Sequence, residues 1–225
     1  MANDYLFSEY DLLPKTWDEM FNDTKELRTQ YEIISDYLRS TSPEVLYKKE
    51  ELSRQLFMSQ GVTFTVYNNN EGIEKIFPFD IVPRIITSEE WQKIDTGIKQ
   101  RLKALNLFIK DIYHEAFILK DGVIPADLIY SCPYFLKEMK GVNVPHDIYV
   151  HIAGVDLIRN NDGEFYVLED NLRTPSGVSY MLENREISKR IFPGILPKSN
   201  IQPVSDYPDL LYKKLKGLSN QSDPK

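Results

Sequence analysis

The sequence predicts an α+β fold, a mixed or antiparallel sheet with packed helices. Three observations predict it. Apolar residues recur every three or four positions from Trp91 to Ala116, which marks one helix face. They alternate at Val62, Phe64 and Val66, and a strand pattern returns from Ile148 to Glu169. Turn clusters, Asn68-Asn69-Asn70-Glu71-Gly72 and Asp162-Gly163, fall between strand-like stretches.

Each element follows from the same rules. Thr16 is placed to cap a helix carrying Trp17, Met20 and Phe21. Leu27, Tyr31, Ile34 and Leu38 then step by four, three and four, one helical face within Thr24 to Leu38. Ser42-Pro43 opens a further helix that ends at Gly61, with Leu46, Leu52, Leu56 and Met58 expected to be buried. Strands are expected over Val62 to Tyr67 and Ile73 to Phe79. Thr87 and Glu90 form a capping box before the longest helix, which runs to about His114. Ile124-Pro125-Ala126-Asp127 is expected to begin a short helix that runs through Tyr130, and Ser131 to Pro145 to be irregular chain. Beyond Pro197 the chain is polar, and its end reads as a linker or tail.

Composition narrows the function. The 225 residues carry 27 Lys and Arg against 34 Asp and Glu, a net charge of −7. That weighs against a general nucleic-acid binder, which normally carries a basic stripe, and against adhesion to anionic membranes. A single cysteine, Cys132, cannot form an internal disulfide and reads as a small packed residue in a reducing compartment. The first residues are acidic and interrupted by polar side chains, unlike a secretory signal. No apolar run approaches the length that spans a bilayer, so a cytoplasmic protein is expected. Glycine-rich phosphate loops, C-x-x-C, H-E-x-x-H and G-x-S-x-G are all absent from the sequence.

The chemistry concentrates in Val155 to Gly177. Asp162-Gly163 favours a two-residue type I′ turn, which pairs Asn161 with Glu164. Counting outward from that turn sets Asp156 opposite Glu169, and Asn171 shares the face. Two opposed carboxylates repel. A bound Mg²⁺ or Mn²⁺ offsets this, because two carboxylates and an amide oxygen make a hard oxygen set. Mg²⁺ held this way completes its shell with water and phosphates, so a phosphate-bearing ligand is implied. The alternative is a solvated face compensated by Arg159 or Arg173. His151, on an apolar strand, reads as a hydrogen-bonded structural histidine.

These residues resemble the magnesium-binding hairpin of ATP-grasp ligases, with Asp156, Glu169 and Asn171 at the family's intervals and Pro175-Ser176-Gly177 following. GVTFTVY, FPFDIVPRII, QRLKALNLFIKDIY, DGVIPADLI and EDNLRTPSGVSYMLENR extend the likeness from about Trp17 to Pro193. Together they are similar to the circularly permuted ATP-grasp type 2 family, the glutathionylspermidine-synthase-like branch. The resemblance implies ATP-dependent carboxylate–amine (or carboxylate–thiol) ligation through an acyl phosphate. It implies Mg²⁺ (or Mn²⁺) on Asp156, Glu169 and Asn171, and Arg173 at the transferred phosphoryl group or the acyl phosphate. Arg84 and Arg185 are candidates for a phosphate or substrate carboxylate, and Ser176 and Ser179 for a hydroxyl or backbone contact. The implied substrates are ATP, a small carboxylate and a peptide or polyamine-like amine.

The family's site also needs a nucleotide-gripping lobe, and none is legible before Lys225. The resemblance therefore implies the N-terminal half of such a protein, an incomplete metal-binding lobe whose ATP site a second chain or segment completes. A binding or scaffold protein that keeps the fold without the reaction is the alternative, and a metal-binding domain of unrelated purpose is the third reading. The expected divisions are a helical segment over 1–40, the hairpin lobe over 41–200 and a polar tail over 201–225.

Overall fold

A computed structural model of the chain describes residues 6–68, 71–76, 78–195 and 200–219. The chain divides into two compact units. The first holds residues up to Thr87, the hairpin tip Arg159–Glu164, and Ser176–Leu210. The second holds Ser88–Ile158, Phe165–Pro175 and the chain from Leu211.

In the first unit, the chain around Trp17 is a series of turns rather than the expected helix. Asp18 Oδ1 accepts from the amides of Met20 and Phe21, at 2.9 and 2.7 Å. Asn22 Oδ1 accepts from the amides of Thr24 and Glu26, at 3.0 and 2.8 Å. These side chains take the backbone donors that a helix would have used. Helix therefore starts later, with a short 3₁₀ turn over Thr29–Tyr31 and then α1 (Glu32–Ser40).

α2 (Pro43–Ser59) begins with Pro43 in its first turn, and Gly61 follows it at φ +66°. Its buried face differs from the expected one. Ser53 and Phe57 are buried, whereas Leu52 and Met58 are exposed. The inward positions Leu46, Lys49, Ser53 and Phe57 step by three and four. Lys49 turns inward because its ammonium donates to the Ile191 carbonyl.

β1 (Thr63–Asn68) pairs antiparallel with β2 (Glu71–Ile76), with Thr63 opposite Ile76. Asn69, Asn70 and Phe77, parts of the expected turn and second strand, lie outside the described residues.

In the second unit, α3 (Ser88–Tyr113) matches the expected long helix. α4 (Phe117–Lys120) and α5 (Ala126–Tyr130) follow. β3 (Gly154–Arg159) and β4 (Phe165–Asn171) form the hairpin, whose tip residues are counted with the first unit. Among the described residues the strands make two separate two-stranded ladders, not one larger sheet.

α6 (Val178–Ile191) returns to the first unit, and α7 (Tyr207–Lys216) forms within the polar C-terminal stretch. Tyr31, Phe57, Ile187 and Ile191 are the largest apolar side chains shut off from solvent in the first unit. The Tyr31 hydroxyl accepts from the Ile85 amide at 3.0 Å, which fastens the irregular chain before Thr87 to this core.

Candidate functional site

The hairpin is built from both ends, and the ends count differently. At the tip, the Asn160 amide donates to the Glu164 carbonyl and the Gly163 amide to the Asn160 carbonyl, each at 2.9 Å. Gly163 has φ +84°, so the loop is three residues closed by a left-handed glycine, not the expected two-residue turn. A Cβ at Gly163 would clash with the Trp17 ring, a second reason for glycine there. Asp162 Oδ1 accepts from the Glu164 amide at 2.9 Å and steadies the loop.

From this tip, Leu157 falls opposite Val167 and Asp156 opposite Leu168. The half-buried pair and the exposed pair agree with that register. At the base, a Cβ built on Gly154 would lie 3.7 Å from Asn171 Cβ, so these two residues share a face. Six steps separate Gly154 from Asn160 and seven separate Glu164 from Asn171. β4 therefore carries one extra residue. The extra position falls at Leu168-Glu169, where two consecutive exposed residues break the alternation. Beyond it, Glu169 and Asn171 lie on the open face with Asp156, and Asp170 turns to the covered face with Val155.

That face is acidic and polar. Asp156, Glu169 and Asn171 are all exposed. Asn171 Nδ2 donates to Glu169 Oε1 at 2.9 Å, and the Asn171 carbonyl oxygen is that side chain's potential ligand atom. Pro175 folds back against the base of the hairpin, where a Cβ on Gly154 would come within 2.8 Å of its own Cβ. Loop and trio thus lie along one strand face.

Neither expected counter-charge serves the two carboxylates. Arg159 Nε lies 3.6 Å from Glu19 in the first unit, and the Arg173 guanidinium stacks on the Tyr134 ring at 4.5 Å. Among the described residues no Lys or Arg pairs with Asp156 or Glu169. Asp170, by contrast, is neutralised by Arg101 of α3, and that guanidinium holds its carboxyl below the ordinary carboxylate range. Among the described residues there is no group of three or more His, Cys, Asp or Glu suited to a metal ion. A cation here would rest on two carboxylates and an amide oxygen, a donor set that fits Mg²⁺ sharing its shell with phosphate.

The remaining candidates belong to the first unit. Arg84, largely exposed, has Nε 3.5 Å from Glu19. Arg185 Nη1 donates to the Gln202 carbonyl at 2.8 Å. Ser176 is exposed and directly precedes Gly177, which starts α6 at φ +99°. Cys132 is exposed and so is not the packed residue expected, and His151 is exposed in a bend rather than on the expected strand. Arg101 and Tyr134 were not expected to matter. Arg101 stands three residues after Ile98 and four before Leu105, a cation at the edge of an apolar stripe, and that is the signal for it.

A short antiparallel hairpin carries two carboxylates and an amide oxygen on its open face, and these are the residues of the candidate cation site. The chain belongs to the circularly permuted ATP-grasp type 2 family, whose model matches residues 83–225. It is 44% identical over 203 residues to an uncharacterised protein of Synechocystis sp., covering 90% of this chain and 42% of that protein. It is 40% identical over 221 residues to an uncharacterised protein of Mycobacterium leprae, covering 97% of this chain and 38% of that one. A Frankia casuarinae protein, provisionally named a glutamate–cysteine ligase, is 34% identical over 202 residues, 90% of this chain and 23% of its own length. The chain thus spans about two fifths of the first two relatives. No helix among the described residues is long and apolar enough to cross a membrane.

Proposed function

We propose that this chain is the N-terminal, hairpin-bearing part of an ATP-dependent carboxylate–amine ligase. The observation that carries the reading is the Asp156–Glu169 face, without a basic partner among the described residues and with Asn171 in phase, in a chain of the ATP-grasp family. The name of the Frankia relative supports amide formation between a carboxylate and an amine, and a peptide or polyamine-like acceptor suits the glutathionylspermidine-synthase-like branch. The 42% coverage of the Synechocystis relative supports an ATP site completed by a further segment or second chain.

In this reading a substrate carboxylate oxygen attacks the γ-phosphorus of ATP and ADP leaves. The amine nitrogen then attacks the acyl carbon, the C–N bond forms and phosphate leaves, with the amine proton passing to solvent. Asp156, Glu169 and the Asn171 carbonyl hold Mg²⁺ (or Mn²⁺). The ion, when bound, neutralises phosphate oxygens and stabilises charge that develops in transfer. Arg173, a planar donor fork, contacts the transferred phosphoryl group or the acyl phosphate. Arg84 and Arg185 offer similar forks to a phosphate or substrate carboxylate, and Ser176 offers a hydroxyl and a backbone N–H.

The test joins this chain to the segment of the Synechocystis relative that lies beyond the aligned region and follows ADP formation with glutamate and cysteine as the first carboxylate–amine pair. Expected is Mg²⁺-dependent ADP release that needs both substrates. A folded fusion that binds Mg²⁺ and ATP yet forms no ADP with a panel of carboxylates and amines would instead favour a binding or scaffold protein.

A further inference from the structure

The strand between the candidate ligands is gripped from its other face. Glu169 and Asn171 project to the open side, so Asp170 between them projects to the covered side. There Arg101 Nε donates to Asp170 Oδ1 at 2.8 Å and Oδ2 at 3.0 Å, and Nη2 donates to Oδ2 at 2.6 Å. Both residues belong to the second unit. The Asp170 side chain is 15% exposed and Arg101 44%.

The location of this grip gives it meaning. It falls one residue after Leu168-Glu169, where β4 carries its extra residue. A bulge disrupts the ladder locally. A one-residue slip there would carry Glu169 and Asn171 to the covered face, away from Asp156. Backbone pairing is weakest as a guide at that point. A bidentate guanidinium–carboxylate fork fixes distance and plane together, which a single contact does not.

We propose that Arg101 is a positioning residue for the cation site, holding Glu169 and Asn171 on the face of Asp156 through its fork on Asp170. The inference rests on the reading of the trio as a Mg²⁺ site. It separates from a merely structural ion pair by what it changes. Arg101 is 44% exposed, so solvent screens the pair and bounds what it adds to stability. Groups that orient metal ligands, when removed, weaken metal affinity by about 10–100-fold.

The experiment is calorimetric titration of the full chain with MgCl₂ alone, beside a thermal melt without metal. The variants are Arg101→Ala, Arg101→Lys, Asp170→Asn and the double variant Asp156→Asn/Glu169→Gln. Expected is Mg²⁺ affinity weaker by about 10-fold or more in Arg101→Ala and Asp170→Asn, with melting close to that of the unaltered chain. Arg101→Lys should fall between, since an ammonium replaces the fork by a point contact. Wild-type affinity in Arg101→Ala, alongside lost binding in the double variant, overturns the positioning role and leaves the trio intact. Wild-type affinity in the double variant overturns the trio, and the positioning role with it.

Discussion

Replacing both hairpin carboxylates, Asp156→Asn with Glu169→Gln, is expected to abolish Mg²⁺ binding while leaving the fold as stable as before or slightly more so. The two effects have opposite signs for one reason. The carboxylates share an open strand face without a basic partner among the described residues. Like charges opposed on a hairpin cost up to about 1 kcal/mol, and the amides relieve that repulsion. The same repulsion is what a divalent cation uses. A ligand present at 100 times its Kd stabilises the folded chain by about 2.7 kcal/mol. Melting in saturating MgCl₂ should therefore rise for the wild type by several degrees and not move for the variant. An equal Mg²⁺-induced rise in both proteins would remove the carboxylates from the site.

The largest loss of stability is expected for Phe57→Ala. Phe57 is 0% exposed and its ring lies 5.2 Å from that of Phe79. Its carbonyl also accepts from the Val62 amide at 2.9 Å, which turns the chain out of α2. Truncating a buried Phe to Ala costs about 3–5 kcal/mol, through lost transfer energy and the cavity left behind. Whole domains are stable by only about 5–15 kcal/mol. A fall in melting temperature of about 6 °C or more follows for a chain of this size, and a shift below about 2 °C would show that Phe57 is not central to the first unit. Leu52→Ala, on the exposed side of the same helix, should change melting little.

Phe57 also shows where the sequence could be read and where it could not. The helix itself was legible from Pro43 and Gly61. Its inward face was not, because Lys49 takes an inward position by reaching a backbone carbonyl, which apolar counting ignores. The segment before Arg28 misled for a related reason. Its apolar spacing fits a helix, but Asp18 and Asn22 offer the backbone local acceptors. α6 was legible in principle, since Tyr180, Asn184, Ile187 and Ile191 step by three and four, but its two fully buried isoleucines sit among charged residues.

At the hairpin, Asp162-Gly163 suits both a two-residue turn and a three-residue loop ending in a left-handed glycine. The structure takes the second, which moves the count by one, and the extra residue at Leu168-Glu169 moves it back. The trio therefore shares a face for a reason the turn alone does not contain. Arg101 was legible as a cation at the edge of an apolar stripe, but its partner was not, because Asp170 is 69 residues away and on the covered side.

The most direct test of the cation site asks where a cation sits rather than what a mutation removes. A ¹⁵N-labelled sample of the chain is titrated with MnCl₂ and the paramagnetic broadening of each amide followed. Broadening centred on Asp156, Glu169 and Asn171, and relieved by excess MgCl₂, is the expected result. Sharp hairpin signals, with broadening centred on another acidic cluster, would contradict it.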